Sequence, residues 1–238
     1  MEGSIKFISY NLEWNTFDKS YEINIKKILN IVKKENPDVI VLQNISTLYY
    51  EKLGREMGYI HYKRYIPESF QQKNIGDIIF SKYSFENVVY LEFQKNTEKK
   101  GIFLLGMNLT ENSKLWICSA QLDKLFYLQT YQLSNINKMI EKYVLPADSV
   151  IMGIDTKSFE YNDTSTLEGW YDAWYECGTS CTKYTLDSLS NHLATPPFLD
   201  RPDRVWYKST LVECNSFRLL GENEDISSHY GIACNFTY

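Results

Sequence analysis

The chain has no surplus of positive charge: 25 Lys and Arg stand against 30 Asp and Glu, giving a formal net charge of −5 over 238 residues. Proteins that coat nucleic acid gain affinity from a basic surface that releases counterions. The acidic total argues against that class and leaves room only for a local basic cleft. Cysteine is sparse and unpaired in pattern. The five are scattered, and although Cys177 and Cys181 are close, no second pair completes a zinc site. Free thiols in a reducing compartment are expected. No apolar run approaches the roughly 18 residues that would span a bilayer, and the opening stretch Met1–Trp14 lacks the apolar core of a signal peptide. The expectation is a soluble intracellular protein without membrane contact, in cytoplasm or nucleus. Repeats, low-complexity tracts and Gly/Ser linkers are also missing, so residues 1–238 read as one domain.

What is present is apolar and aromatic: 44% hydrophobic residues and 19 Tyr, enough for a sizeable core. Ile5–Tyr10 alternates like a half-buried strand. Ile23–Glu35 puts Ile25, Ile28, Leu29 and Val32 on one helical face, and Pro37 follows to stop it. Asp38–Gln43 is nearly all apolar, as in a strand covered on both faces. Further strands are predicted at Tyr59–Arg64, Asp77–Ser81, Val88–Gln94, Gly101–Leu109 and Leu115–Gln121, and a helix over Phe126–Tyr143. Ser149–Asp155, Arg204–Tyr207, Ser209–Leu219 and Gly231–Tyr238 complete a strand-rich C-terminal half. The order fits two packed sheets with helices outside. Trp14, Trp170, Trp174 and Trp206 are expected in the core.

Seven segments carry a resemblance. Phe7–Asn11, Pro37–Asn44, Gly76–Tyr83, Ile117–Leu122, Val150–Lys157, Arg201–Tyr207 and Ser227–Gly231 resemble, in order, motifs of the exonuclease–endonuclease–phosphatase (EEP) superfamily. Asp172-Ala173-Trp174, Tyr184-Thr185-Leu186-Asp187-Ser188 and Asn191 are similar to a block of its 5′-tyrosyl-DNA phosphodiesterase branch. The resemblance spans nearly the whole chain. It implies a four-layered α/β sandwich of the DNase I type, two mainly antiparallel sheets flanked by helices.

It also implies Mg²⁺-assisted phosphodiester hydrolysis, in which the cation polarises the phosphoryl oxygen and is held by oxygen ligands including a carboxylate. Matched position by position, Asn11, Asp155, Asp203 and His229 are kept. Four family positions are changed: Asn44 stands for the metal-anchoring Glu, Gln121 for the first His, Lys157 for the Asn after Asp155, and Ser228 for the Asp before the last His. Arg201, Arg204 and Asn191 fall where the family lines its cleft. Asn44 offers no charge, and Lys157 puts an ammonium where a cation would sit. Gln121 cannot be cationic, and Ser228 removes the carboxylate that orients the last His. Removing one such group typically costs about 10²–10³-fold in rate, so four changes should bring catalysis near background.

The residues also admit plainer roles. Asn11 suits a strand end, Asp203 between two arginines suits a structural ion pair, and the Lys26-Lys27 and Lys33-Lys34 pairs suit a solvated helix face. The expectation is a catalytically impaired binding or assembly protein with a protein partner, needing no cofactor. The alternatives are an active Mg²⁺-dependent phosphodiesterase with an atypical site, and a nucleic-acid-binding module.

Overall fold

The computed structural model describes residues 3–13, 21–46, 50–67, 71, 75–157, 167–194 and 199–238. Trp14 lies outside them. The elements run β1(Ser4–Asn11), α1(Tyr21–Glu35), β2(Val39–Ser46), α2(Tyr50–Met57), β3(His61–Tyr65), β4(Ile75–Ser81), β5(Asn87–Glu92), β6(Gly101–Asn108), β7(Lys114–Gln121), α3(Phe126–Ile140) and β8(Ser149–Asp155). There follow β9(Tyr171–Asp172), α4(Ala173–Cys177), β10(Leu186–Asp187), β11(Leu199–Asp200), β12(Asp203–Lys208), β13(Glu213–Leu220) and β14(Gly231–Thr237).

They build two six-stranded sheets, β13-β14-β1-β2-β4-β3 and β5-β6-β7-β8-β12-β9. Every neighbouring pair is antiparallel except β1/β2 and β7/β8. Parallel neighbours need a crossover, and α1 and α3 supply the two. The result is the DNase I-like α/β sandwich, with helices on the outer faces.

Alternation within strands builds the layers. Ile5 and Phe7 of β1 join Val39, Val41, Ile117, Ile151 and Val205 in a core between the sheets. Ile8 and Tyr10 point the other way and pack with Ile25, Ile28 and Val32 of α1. On the far side, Trp116, Cys118, Met152 and Trp206 meet Ile136 and Ile140 of α3. Fully burying one such aliphatic chain contributes about 1.5–3 kcal/mol, so three contiguous clusters hold the layers together. Trp170 and Trp206 are buried as expected, and Trp174 packs against the inter-sheet core. At Gly153 the two sheets come close together. A Cβ there would come within 2.3 Å of Ser9 Oγ on the opposite sheet.

Several boundaries differ from the sequence reading, and two have a clear cause. The α3 helix stops at Ile140, where a turn forms with Tyr143 and Val144 donating to the Ile140 carbonyl. Strand β13 begins at Glu213, because the Ser209 hydroxyl accepts from the amides of Leu211 and Val212 and holds 209–212 in a turn.

Candidate functional site

The C-terminal ends of the two parallel pairs converge. Asn11 ends β1, Asn44 lies late in β2, Gln121 ends β7 and Asp155 ends β8. Antiparallel β12 begins there, placing Asp203 directly opposite Asp155, and the turn before β14 brings in Ser227–His229. The four retained positions therefore meet at one locus.

Asp155 is fully buried and its oxygens are occupied by N–H donors. Asn11 Nδ2 donates to Oδ2 at 2.7 Å, the Lys157 amide donates to Oδ1 at 3.0 Å, and Lys157 Nζ lies 2.5 Å from Oδ2. Burial alone would raise this carboxyl, but the Lys157 and His229 charges overcome it and hold the group below the usual carboxylate range. The Asp155 and Glu13 charges likewise keep Lys157 protonated against the cost of its burial. Asn44 turns its amide nitrogen to Asn11 Oδ1 at 3.0 Å.

The second cluster centres on His229. Its Nδ1 lies 2.6 Å from Asp203 Oδ2, which also accepts from Thr185 Oγ1 at 2.8 Å. Its Nε2 lies 3.5 Å from Glu13 Oε1, and Ser228 Oγ donates to the other Glu13 oxygen. Burial would lower the imidazole, but Asp203 and Glu13 raise it to about 10. Burial raises Asp203 itself, with the imidazolium offsetting this only in part. The pair thus holds its proton tightly.

Asn191 braces the site from beneath, with Nδ2 donating to the carbonyls of Ser227 and Ser228. Gln121 Nε2 donates to Asp77 Oδ1 at 2.7 Å while Ser119 takes the other oxygen, and the Asn44 backbone also bonds this carboxylate. Arg201 and Arg204 need correcting as cleft residues. Both are buried, Arg201 Nη1 contacts both Asp172 oxygens at 2.9 Å, and Arg204 Nη1 lies 3.7 Å from the same carboxylate. Adjacent strand residues face opposite sides. Asp203 therefore points between the sheets with Val205, while Arg204 shares the outer face with Trp206. An Arg–Asp203 ion pair is replaced by Asp203–His229 and Arg201–Asp172.

Glu13, Asp77 and Thr185 were not assigned from sequence. Glu13 lies two residues past Asn11, Asp77 lies inside the Gly76–Tyr83 motif, and Thr185 inside the Tyr184–Ser188 block, so position alone was the available signal. Backbone strain gathers here as well. Glu13, Asn44 and Lys157 have φ of 45°, 51° and 53°, a left-handed conformation that costs most residues energy and is common at functional sites. At Asn44 the cause is a bulge. The β2/β4 register passes from Leu42↔Ile78 to Ile45↔Gly76, leaving one extra residue on β2.

A divalent ion of the Mg²⁺ type needs several oxygen ligands with carboxylates among them. Here Asp155, the buried carboxylate that bonds Asn11, has both oxygens engaged by N–H donors, one an ammonium. Among the described residues no group of three or more His, Cys, Asp or Glu side chains could hold a metal ion.

No protein-family model matches the chain, and no curated protein matches it. Solved structures do. A truncated TDP2 of Caenorhabditis elegans aligns at 21% identity over 99% of this chain and 98% of its own, with a TM-score of 0.78. A D. rerio TDP2 complexed with a single-strand DNA product aligns at 20% identity over 98% of each chain, with a TM-score of 0.83. An endonuclease/exonuclease/phosphatase family protein of Leptotrichia buccalis aligns at 14% identity over 98% of this chain and 100% of its own, with a TM-score of 0.79. The chain thus has the EEP fold, in a form close to that of TDP2.

Proposed function

We propose that this protein is a binding protein built on the EEP hydrolase fold, one that does not use a divalent cation and does not turn over phosphodiesters. The observation that carries this reading is the Lys157 ammonium on Asp155 at 2.5 Å, beside an Asn44 that brings no charge. A divalent ion entering there would have to displace an ammonium from Asp155 and be repelled by it. Gln121 adds to the case, since its amide is committed to Asp77 and lends no cationic donor to the locus.

Two measurements test the reading. Native-state metal binding raises stability by mass action, so melting temperature should not respond to millimolar Mg²⁺ or Mn²⁺. Purified protein should leave 5′-phosphotyrosyl DNA and simple phosphodiesters uncut. Metal-dependent turnover that disappears in His229→Ala would overturn it.

A nucleic-acid ligand is a second reading, favoured by one fact: the D. rerio TDP2 of matching fold is complexed with single-strand DNA product. A protein partner, expected from the changed site positions, has no comparable support.

A further inference from the structure

Three of the five cysteines meet away from the site, where α4 lies against the edge strand β13. Cys177 ends α4, Cys214 lies near the start of β13, and Cys234 lies within β14. All three belong to the layer between the sheets, Cys177 as a partly buried member at its border. The Cys177 thiol reaches the Cys214 carbonyl at 3.0 Å and is also hydrogen-bonded to the Cys214 sulfur. Cys234 bonds that same sulfur, which lies 3.5 Å from the Ser216 carbonyl. The other two cysteines stand apart. Cys118 packs in the layer against α3, and Cys181 is exposed on the short turn Ser180–Thr182.

The three thiols are chemically unequal. Hydrogen bonds from Cys234 and Cys177 hold Cys214 below the usual thiol range, against its burial. Burial pushes Cys177 up to about 11 and Cys234 well above its ordinary value. The thiolate is the reactive form, so Cys214 is the sulfur that attacks first, with two protonated thiols beside it. Of those two, Cys234 is 1% exposed, whereas Cys177 is half-buried and opens towards solvent. A disulfide needs sulfurs about 2.05 Å apart and Cβ atoms about 3.5–4.5 Å apart. Thiols already in hydrogen-bond contact across two packed elements approach that geometry by side-chain rotation.

We propose that Cys214 and Cys177 form an oxidation site for small hydroperoxides, closing to a disulfide that ties α4 to β13. The Cys214 thiolate attacks one peroxide oxygen and the O–O bond breaks. Cys214 becomes a sulfenic acid, and the departing hydroxide takes up the proton that the thiol released. The Cys177 sulfur then attacks the Cys214 sulfur, the S–O bond breaks, and the second hydroxide leaves as water with the Cys177 proton. Two thiols and one hydrogen peroxide give one disulfide and two waters, the sulfurs losing the two electrons that the peroxide gains. The closed loop runs from 177 to 214 and encloses Thr185, Asn191 and Asp203. Its anchor α4 starts at Asp172, the carboxylate that caps the helix and grips Arg201. Oxidation therefore fastens the segment that supports the site, whether or not the site binds metal.

The test treats reduced wild-type protein with hydrogen peroxide, blocks the remaining thiols with iodoacetamide and maps the peptides by mass. Free thiols should fall from the five of the reduced chain to three, with Cys177 joined to Cys214 within one chain. Melting temperature should rise by about 5 °C or more, because a loop of this length restricts the unfolded chain, and dithiothreitol should reverse both changes. In Cys177→Ser the link should be absent and dimedone should label Cys214, whereas Cys234→Ser should still form it. A link that uses Cys181 or Cys234, a link between two chains, or five thiols surviving the peroxide would each overturn the proposal. The wild-type measurement decides this even where a variant folds poorly.

Discussion

Asp155 and Asp203 face each other across one rung of β8 and β12, and both are buried. Their surroundings treat them in opposite ways. Asp155 is held ionised, with an ammonium, an amide side chain and a backbone N–H on its two oxygens. Asp203 is pushed up by burial and shares its proton environment with an imidazole whose far side meets Glu13. One carboxylate belongs to a fixed internal ion pair, and the other belongs to a polarised chain that runs out to the surface. Strand register gives the two aspartates equal depth. Partner chemistry decides which of them is linked to the surface.

The sharpest way to break this contrast is Lys157→Met. It leaves Asp155 buried without its cation, and breaking a buried pair on one side costs about 3–5 kcal/mol. The lower end is expected because Lys157 remains 23% exposed. Chemical denaturation should register the loss, and adding Asp155→Asn should restore most of it. No recovery in the double variant would mean the pair is not the source.

His229→Gln should cost less, about 1–3 kcal/mol, because Asp203 can take up a proton and keep Thr185 as a partner. The sign of its pH dependence follows from the direction of the shift. The imidazole is raised from the ordinary 6.5 to about 10 in the folded protein. Its contribution is therefore fully present below about 6.5 and is lost as pH rises through 10. The stability gap between wild type and His229→Gln, followed by thermal melts from neutral to alkaline pH, should close over that window. Asp155 behaves in the opposite sense. Its folded value is depressed, so its contribution is present above the ordinary carboxylate range and lost as pH falls below it.

The smallest expected effect is a gain. Lys157→Asn with Asn44→Asp removes the ammonium and adds a carboxylate beside Asp155. Mg²⁺ at a few times its dissociation constant should then raise stability by about 1 kcal/mol, read as a Mg²⁺-dependent shift in melting temperature absent from wild type. A native-like double variant with no such shift would show that the metal-site correspondence drawn from the motifs is wrong.

Much of this was legible in the sequence, for identifiable reasons. Strands covered on both faces gave unbroken apolar runs such as Val39–Leu42, and α1 showed its stripe. The helix α2 was missed because it is only eight residues long, with Leu53 buried and Tyr50 and Met57 partly so. The short β9–α4 unit was visible only as part of the Asp172–Trp174 block. Its cause appears in three dimensions, where Asp172 caps α4 through the Trp174 amide, binds Arg201 and accepts from Trp206. At the site, Asn11, Asp155, Asp203 and His229 could be read together because ordered motifs place them at one end of the strands. Glu13 could not, since its meaning depends on a side chain folding back across 215 residues of sequence to Ser228. Arg201 and Arg204 were expected in the cleft because the resemblance places them there, whereas both are buried against Asp172.

The bulge in β2 gives the site a direction of change. Asn tolerates the left-handed backbone at position 44 because its short side chain can bond locally, whereas Glu there would pay about 1 kcal/mol or more. Opposite it, Gly76 leaves no slack, since a Cβ would fall 2.0 Å from the Tyr65 carbonyl. The backbone thus discriminates by side-chain length: a long carboxylate at this position would strain the strand more than Asn does. Building an acidic site here is steeper through Glu than through Asp, and that asymmetry is written into the hydrogen-bond ladder rather than into the side chains.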